Sequence, residues 1–476
     1  MAPRDRLKTE PGIDGSDLQS FVMRQLLAGW FRTCKTFYEA GNVILWRELP
    51  SLIPLIQCMP SSLWKLDQDN LSFCRPIFPS DWPRFSHLAS FVKVLNTSNV
   101  ILDPTVFSNL GACRPALSLL PNLRTLRWYG QRETFHHAHW LLSPALTELQ
   151  VSIRKAQVPA ASAIIHAIGT RCPTLKSLRM DCQWLAYSEP DGHAIPADCS
   201  IECYHVVNWG DLVEISKLSH LETLHVELWS GLQDYSSTIP QSAFLALKRI
   251  RLAFYTFATC TRAVKLFRSS KLQSLHLIFV APASYEGMLA FLQDIGHIDH
   301  DSLESFFVEW RGWEDDRDDG YFMLGPSALS PLFVFRHLRV FKMRFGYNFE
   351  QADAVLSDMG LAWPLLQELK FGCWILSLRK TLMKISSLRV VAERFHNLQR
   401  FCVPIDASDI PPTLEGRPGG RIFNGSITAL GLTGLPVLNQ MEVAIFLSDL
   451  LPNLSTIEGD PGWEETLRLM RGFAIV

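Results

Sequence analysis

The sequence predicts an α/β solenoid, a stack of short strand–turn–helix modules that share one core. Three observations predict it. A pattern of apolar residues spaced L-x-x-L-x-L, with Ile, Phe, Val or Met in some slots, recurs along most of the chain. Within each copy the last three slots alternate apolar and polar, the period of a strand with one buried face. Between copies the apolar spacing changes to that of a helix.

The clearest copies are Pro121–Trp128, Pro173–Met180, Ser219–Val226 and Ser270–Leu277. Further copies begin at Leu146, Leu247, Leu303, Leu338, Leu366, Leu398, Ile427 and Leu454. Most steps between copies are roughly 23 to 35 residues, near or somewhat above the period of a leucine-rich repeat. The step from Leu175 to Leu221 is about twice as long and holds Tyr187–Gly192, which reads as an inserted loop. Helical stripes fill the intervals: Ala160, Ala163, Ile164, Ala167 and Ile168; Met288, Leu289, Phe291, Leu292 and Ile295; Leu382, Ile385, Leu388, Val391 and Phe395; Val443, Phe446, Leu447 and Leu450.

One such module cannot stand alone. A buried leucine contributes about 1.5–3 kcal/mol, whereas ordering each residue costs about 1–2 kcal/mol of backbone entropy. Stacking gives each module two neighbours, so the array is stable as a whole. The expected product is a leucine-rich-repeat solenoid, with a curved parallel sheet inside and helices outside. A doubly wound sheet also alternates strands and helices. Twelve copies of one strand template, and the lack of a glycine-rich strand-to-helix turn, favour the solenoid.

Length and composition agree. A chain of 476 residues exceeds a single ordinary globule, and 47% hydrophobic residues can build a large core. A formal net charge of −2, from 45 basic and 47 acidic residues, gives no overall electrostatic footprint for nucleic acid. No polybasic run suits an anionic membrane, and the uncharged stretch Ile422–Met441 is too rich in Gly, Asn and Pro to span one. The 11 cysteines form no even, compact framework. Met1–Asp17 lacks the apolar centre of a signal peptide. The chain therefore reads as cytoplasmic, nuclear or both, and the sequons at Asn96, Asn424 and Asn453 read as chance matches.

The expected organisation is a disordered tail over 1–16, a helical segment over 17–60, a linker with a first, irregular repeat over 61–118, and the solenoid over 119–476. In the helical segment, apolar stripes run through Leu18, Phe21, Val22, Leu26 and Trp30, then Phe37, Ala40, Val43, Ile44 and Leu45. Cys34-Lys35-Thr36-Phe37 followed by Leu45-Trp46-Arg47-Glu48-Leu49 resembles the second half of an F-box. The continuation through Leu49–Leu55, Asp81–Phe85, His87–Ser90 and Leu119–Leu123 resembles fungal, mushroom-type F-box/leucine-rich-repeat proteins. The specific part spans residues 34–128. Residues 1–33 hold no leucine–proline pair of the kind that opens an F-box, so its first half is degenerate or missing. The resemblance implies that F-box helices dock a Skp-type adaptor on a cullin scaffold, through Cys34, Phe37, Leu45 and Trp46. It implies that the repeats hold a protein substrate for an SCF-type ubiquitin ligase. A helical cap shielding the first repeat of a stand-alone scaffold is the alternative.

Motifs of chemistry are weak. No metalloprotease helix, P-loop or nucleophile elbow occurs. Cys199, Cys203 and His205 lack the second ligand pair that structural zinc needs. His136, His137 and His139 beside Trp140 read as a hydrated loop or helix start; His297–Asp301 reads as a turn. The acidic run Glu314–Asp319 reads as a solvated loop, and Gly416–Arg421 as a flexible one. No catalytic residue, metal or cofactor is expected.

The expected binding surface is the concave side of the strands, in the slots between apolar positions. Arg127, Arg179, His225, Arg251, His276, Glu309, Lys342, Lys370 and Cys402 are assigned to it, with Trp229, Trp310 and Trp374 just beyond. Such a basic and aromatic surface suits a protein ligand with acidic elements.

Overall fold

The computed structural model describes residues 35–67, 70–97, 102–129, 135–153, 158–182, 207, 209–228, 243–254, 256–279, 284–310, 322–344, 347–372, 383–408, 410, 422–434, 437–459 and 461–473. The chain forms two compact units, residues 1–152 with 170–175, and residues 153–169 with 176–476. The tail, the stripe Leu18–Trp30, the loop Tyr187–Gly192, the Cys199–His205 group, the acidic run Glu314–Asp319 and Gly416–Arg421 lie outside the described residues.

In the first unit a helix, Lys35–Leu45, leads into β1 (Glu48–Leu49). A helix, Ile53–Gln57, and an antiparallel hairpin of β2 (Trp64–Asp67) and β3 (Asn70–Phe73) follow. After a helix at Trp82–Ala89 comes β4 (Val94–Asn96), which pairs in parallel with β1 and with β5 (Thr125–Trp128); β5 pairs in parallel with β6 (Glu148–Ile153). Sequence patterning had missed β1, the hairpin and β4. Strands of two or three residues, as β1 and β4 are, are too short for alternation to register, and the hairpin carries no copy of the L-x-x-L-x-L template. The helix at Trp82 is braced by Asp81, 5% exposed, whose carboxylate accepts from Arg75 at 2.7 and 2.9 Å and from the backbone N–H of Phe78 at 2.8 Å.

Among the described residues of the second unit, ten parallel strands pair in chain order. They are β7 (Ser177–Cys182), β8 (Thr223–Leu228), β9 (Arg249–Phe254), β10 (Ser274–Phe279), β11 (Ser305–Trp310), β13 (Val340–Arg344), β15 (Glu368–Phe371), β17 (Arg400–Asp406), β18 (Ala429–Gly434) and β19 (Thr456–Gly459). Two small additions flank them, β12 (Phe322–Leu324) with β14 (Tyr347–Phe349), and β16 (Met383–Lys384) on the end of β17. All twelve strand templates read from the sequence are strands, and this is the leucine-rich-repeat arrangement of strand, turn and helix.

The register never slips. Leu178, Leu224, Ile250, Leu275, Phe306, Phe341, Leu369, Phe401, Leu430 and Ile457 form one buried row. Every second residue of each strand therefore enters the core while its neighbour faces away. The turn into each strand is pinned by a backbone ladder. The Lys176 carbonyl accepts from the N–H groups of Glu222 and Thr223 at 2.8 and 3.0 Å, and Glu222, Lys248, Gln273, Glu304, Arg339, Gln367, Gln399 and Thr428 repeat the pattern. One carbonyl has two lone pairs, so it satisfies two turn donors that would otherwise go unpaired.

The polar residue before the first leucine serves the same end. Asn122 donates to the Ser90 carbonyl at 2.8 Å in the first unit; Ser302, Asn397 and Asn453 donate to the carbonyls of Leu272, Pro364 and Gly425 at 2.9, 2.9 and 2.8 Å in the second. The recurrent x-Asn-Leu triplets are therefore clamps between modules. Asn424 goes further. It is 5% exposed, and its amide donates to the Ala392 and Phe395 carbonyls at 3.2 and 2.8 Å.

Helices return the chain to the next strand, and their starts follow from capping side chains. Thr256, Ser284 and Asn439 accept from Thr259, Gly287 and Glu442 N–H groups at the heads of Phe257–Val264, Tyr285–Ile295 and Gln440–Leu450. In the helix Val158–Arg171, Ala161, Ile164, Ile165 and Ile168 are buried and Ala163 is exposed, so the stripe is rotated from the expected one. Residues 135–141 form a 3-10 helix in which His137 is buried, not hydrated. Its ring lies 4.4 Å from that of Trp140 and 5.8 Å from that of Phe107.

Candidate functional site

The residues between the core positions of the second unit's strands form an open face, half-buried or exposed along most of its central row and buried at Cys402, and register defines it. The central row reads Arg179, His225, Arg251, His276, Phe307, Lys342, Lys370, Cys402, Gly431, Glu458 across β7 to β19. Arg179, His225, Arg251, His276, Lys342, Lys370 and Cys402 thus stand together on one face. Glu309 does not occupy the central slot. Phe307 does, because the slot between the core residues Phe306 and Val308 falls there; Glu309 lies two residues on. Trp310, registered with Phe279, has the parity of the core positions and is half-buried, so it is not part of the open face. Arg127 lies in the first unit, beside Glu148 at 3.6 Å. Trp229 and Trp374 lie outside the described residues.

Three carboxylates organise the polar side chains of this face. Asp181 meets Arg179 Nε at 2.6 Å and His225 Nδ1 at 3.5 Å. Glu309, 4% exposed, lies 3.6 Å from His276 Nε2 and 3.4 Å from Arg344 Nη1. Glu368 takes Lys342 Nζ at 2.8 Å and Arg400 Nη1 at 3.8 Å. The His276 and Phe307 rings stack with centroids 4.1 Å apart and planes 24° from parallel. Burial first, and then the charges of Arg251, Arg179 and His276, press His225 down to about 4 against the upward pull of Asp181. Further along, Cys402 is buried under the Gly431 backbone and burial raises its thiol pKa, which suits packing rather than thiolate chemistry.

Sequence reasoning missed Phe307, Asp181 and Arg344. The Leu303/Phe306/Val308 template would have found Phe307 if counted strictly. Asp181 and Arg344 lie one step past the last apolar slot, where only strand length decides whether a residue stays on the face.

Of the residues matched to an F-box, Leu45 and Trp46 are half-buried at the end of the Lys35–Leu45 helix, Phe37 lies within that helix, and Cys34 is outside the described residues. Val43 and Ile44 on this helix are 51% and 61% exposed. Among the described residues, no group of three or more His, Cys, Asp or Glu could hold a metal ion. Among them also, no helix is long and apolar enough to cross a membrane.

No protein-family model matches the chain, and no curated protein matches it. Solved structures that resemble it include an internalin from Listeria monocytogenes, at 12% identity over 84% of this chain and 85% of that one, with a TM-score of 0.34. They also include the yeast Rad7 and Elc1 complex, at 14% identity over 74% of this chain and 81% of that one, with a TM-score of 0.34. Such distant likenesses bear no weight on function; the strand register itself defines the fold.

Proposed function

We propose that this chain is a protein-binding adaptor whose second unit holds a partner on its open sheet face. The observation that carries the reading is the row Arg251–His276–Phe307–Lys342, half-buried cations and rings on a paired sheet, with His276 beside the buried Glu309 and Lys342 against Glu368. Arginine and aromatic side chains on a rigid base are the chemistry of interface anchors. Nothing in the arrangement pairs a nucleophile with a base, so the role proposed is binding and not catalysis.

The finer reading is that of the substrate-recognition subunit of an SCF-type ubiquitin ligase, working in the cytoplasm or nucleus. The F-box-like run over residues 34–49 supports it. So do the exposed Val43 and Ile44, because adjacent uncovered apolar side chains mark protein contact surfaces. The test is co-purification with a Skp-type adaptor and cullin. Capture by the full chain, lost in the Val43→Asp, Ile44→Asp double variant, is the expected result. Partner capture that needs the open face but brings no adaptor would instead favour a stand-alone scaffold.

A further inference from the structure

The protein-binding reading leaves open what the face recognises, and the register of four strands narrows it. Across β9, β10, β11 and β13 the central row reads cation, ring, ring, cation: Arg251, His276, Phe307, Lys342. The outer rows of these strands add Arg249 and Arg344 as cations and Glu309 as the lone carboxylate. With Glu368, which meets Lys342 from the next strand, four cations against two carboxylates leave an excess of two positive charges, in a chain whose formal net charge is −2. The patch reverses the sign of the whole molecule, and its complement is acidic.

Glu309 is not that complement. It is nearly covered, and it holds Arg344 and His276 in place. Lys342 keeps donors to spare, because an ammonium has three and the contact with Glu368 uses one. The ring pair between the two cations is stacked and half-buried, a flat aromatic floor with charge at each end.

The spacing sets the ligand. Arg251 and Lys342 are three strands apart, about 14 Å at the usual distance between strands. An extended peptide rises about 3.3 Å per residue, so residues i and i+4 are about 13 Å apart and point to the same side. Residue i+2 shares that side and falls over the rings.

We infer that this face takes an extended acidic segment of a partner protein, laid across the strands, with carboxylates four residues apart and a flat side chain midway. The inference rests on the protein-binding reading above. The carboxylates meet Arg251 and Lys342, and the middle side chain stacks on His276 and Phe307. Aspartates three apart would point to opposite sides and engage one cation only.

The test is fluorescence anisotropy of the full chain with two labelled peptides of one composition. In Gly-Ser-Asp-Ser-Tyr-Ser-Asp-Ser-Gly the aspartates are four apart, and in Gly-Ser-Asp-Tyr-Ser-Asp-Ser-Ser-Gly three. The first is expected to bind about tenfold tighter, the worth of one charge-assisted hydrogen bond. Arg251→Gln and Lys342→Gln are each expected to abolish that preference. Lys342, with its side chain 27% exposed, is the variant that keeps the fold. Equal affinities, a preference that survives Lys342→Gln, or displacement of the peptide by an equimolar nine-residue oligouridine would overturn the inference. Partner capture that is lost in Lys342→Gln while the two peptides bind alike removes the spacing inference only. Capture untouched by the face variants removes the protein-binding reading itself.

Discussion

His225 Nδ1 stands 3.5 Å from Asp181 Oδ1, and the imidazole is nevertheless held neutral, its pKa pressed down to about 4. Burial is the largest cause, and Arg251, Arg179 and His276 add to it; the single carboxylate does not offset them. The unfolded chain binds a proton at this residue near pH 6.5. Between that value and about 4 the unfolded state therefore holds more protons, and stability falls as the pH drops. The expected loss at His225 between pH 7.5 and 4.5 is roughly 2–3 kcal/mol. Urea unfolding at the two pH values checks it, with His225→Gln losing that much less than the parent chain.

Glu309→Gln separates stability from binding. The change keeps the shape but removes the charge that faces Arg344 and His276. Stability is expected to fall by about 1–3 kcal/mol, the cost of weakening buried contacts to a charged group. The face gains net positive charge at the same time, so the four-apart acidic peptide is expected to bind more tightly. Unfolding and anisotropy on one preparation measure both; weaker binding with unchanged stability would contradict the role given to Glu309.

Asn424 tests the clamps between modules. Its amide donates to two carbonyls of the preceding module, and its Oδ1 accepts from the Ser426 N–H at 2.9 Å. Asn424→Ala is expected to cost about 2–4 kcal/mol, since it strands buried partners. A glycan attached here, at the sequon Asn424-Gly425-Ser426, would strand the same carbonyls, so a chain that carries one is expected not to fold. Thermal unfolding checks the first expectation. Intact mass of the folded protein after expression through a secretory route checks the second, with no glycan expected at this position.

Gly459 tests the end of the sheet. A Cβ there would collide with the Leu432 carbonyl oxygen and stand 2.9 Å from Trp463 Cδ1. The oxygen is backbone and cannot swing aside. Trp463 is 1% exposed in the helix Pro461–Phe473, which follows β19. Gly459→Ala is expected to destabilise by about 1–3 kcal/mol through overpacking, whereas Gly472→Ala, with nothing within 4 Å, is expected to be nearly silent. Thermal melts of the two variants compare them directly.

The face was partly legible beforehand. Arg179, His225, Arg251, His276, Lys342 and Lys370 were found by counting slots between leucines, because a period of two leaves no choice of side once the core is set. Phe307 was overlooked for the charged Glu309 nearby, and Trp310 was given to the wrong side for the same reason. The pairing of Asp181 with His225 spans separate modules, and no local spacing predicts it. His137 looked polar and solvated in sequence, and only the rings of Phe107 and Trp140 around it made it a core residue.

The amino-acid order alone determined the repeat, the strands of each module from Leu123 onward, and the side of the sheet that faces away from the core. Those properties follow from hydrophobic periodicity, which is local and written along the chain. The short strands β1 and β4, the clamps from Asn122 to Asn453, and the meeting of Arg344 and His276 at Glu309 were decided by tertiary structure. They depend on which module sits beside which and at what register, and hydrogen bonds and charges act across that distance, not along the sequence.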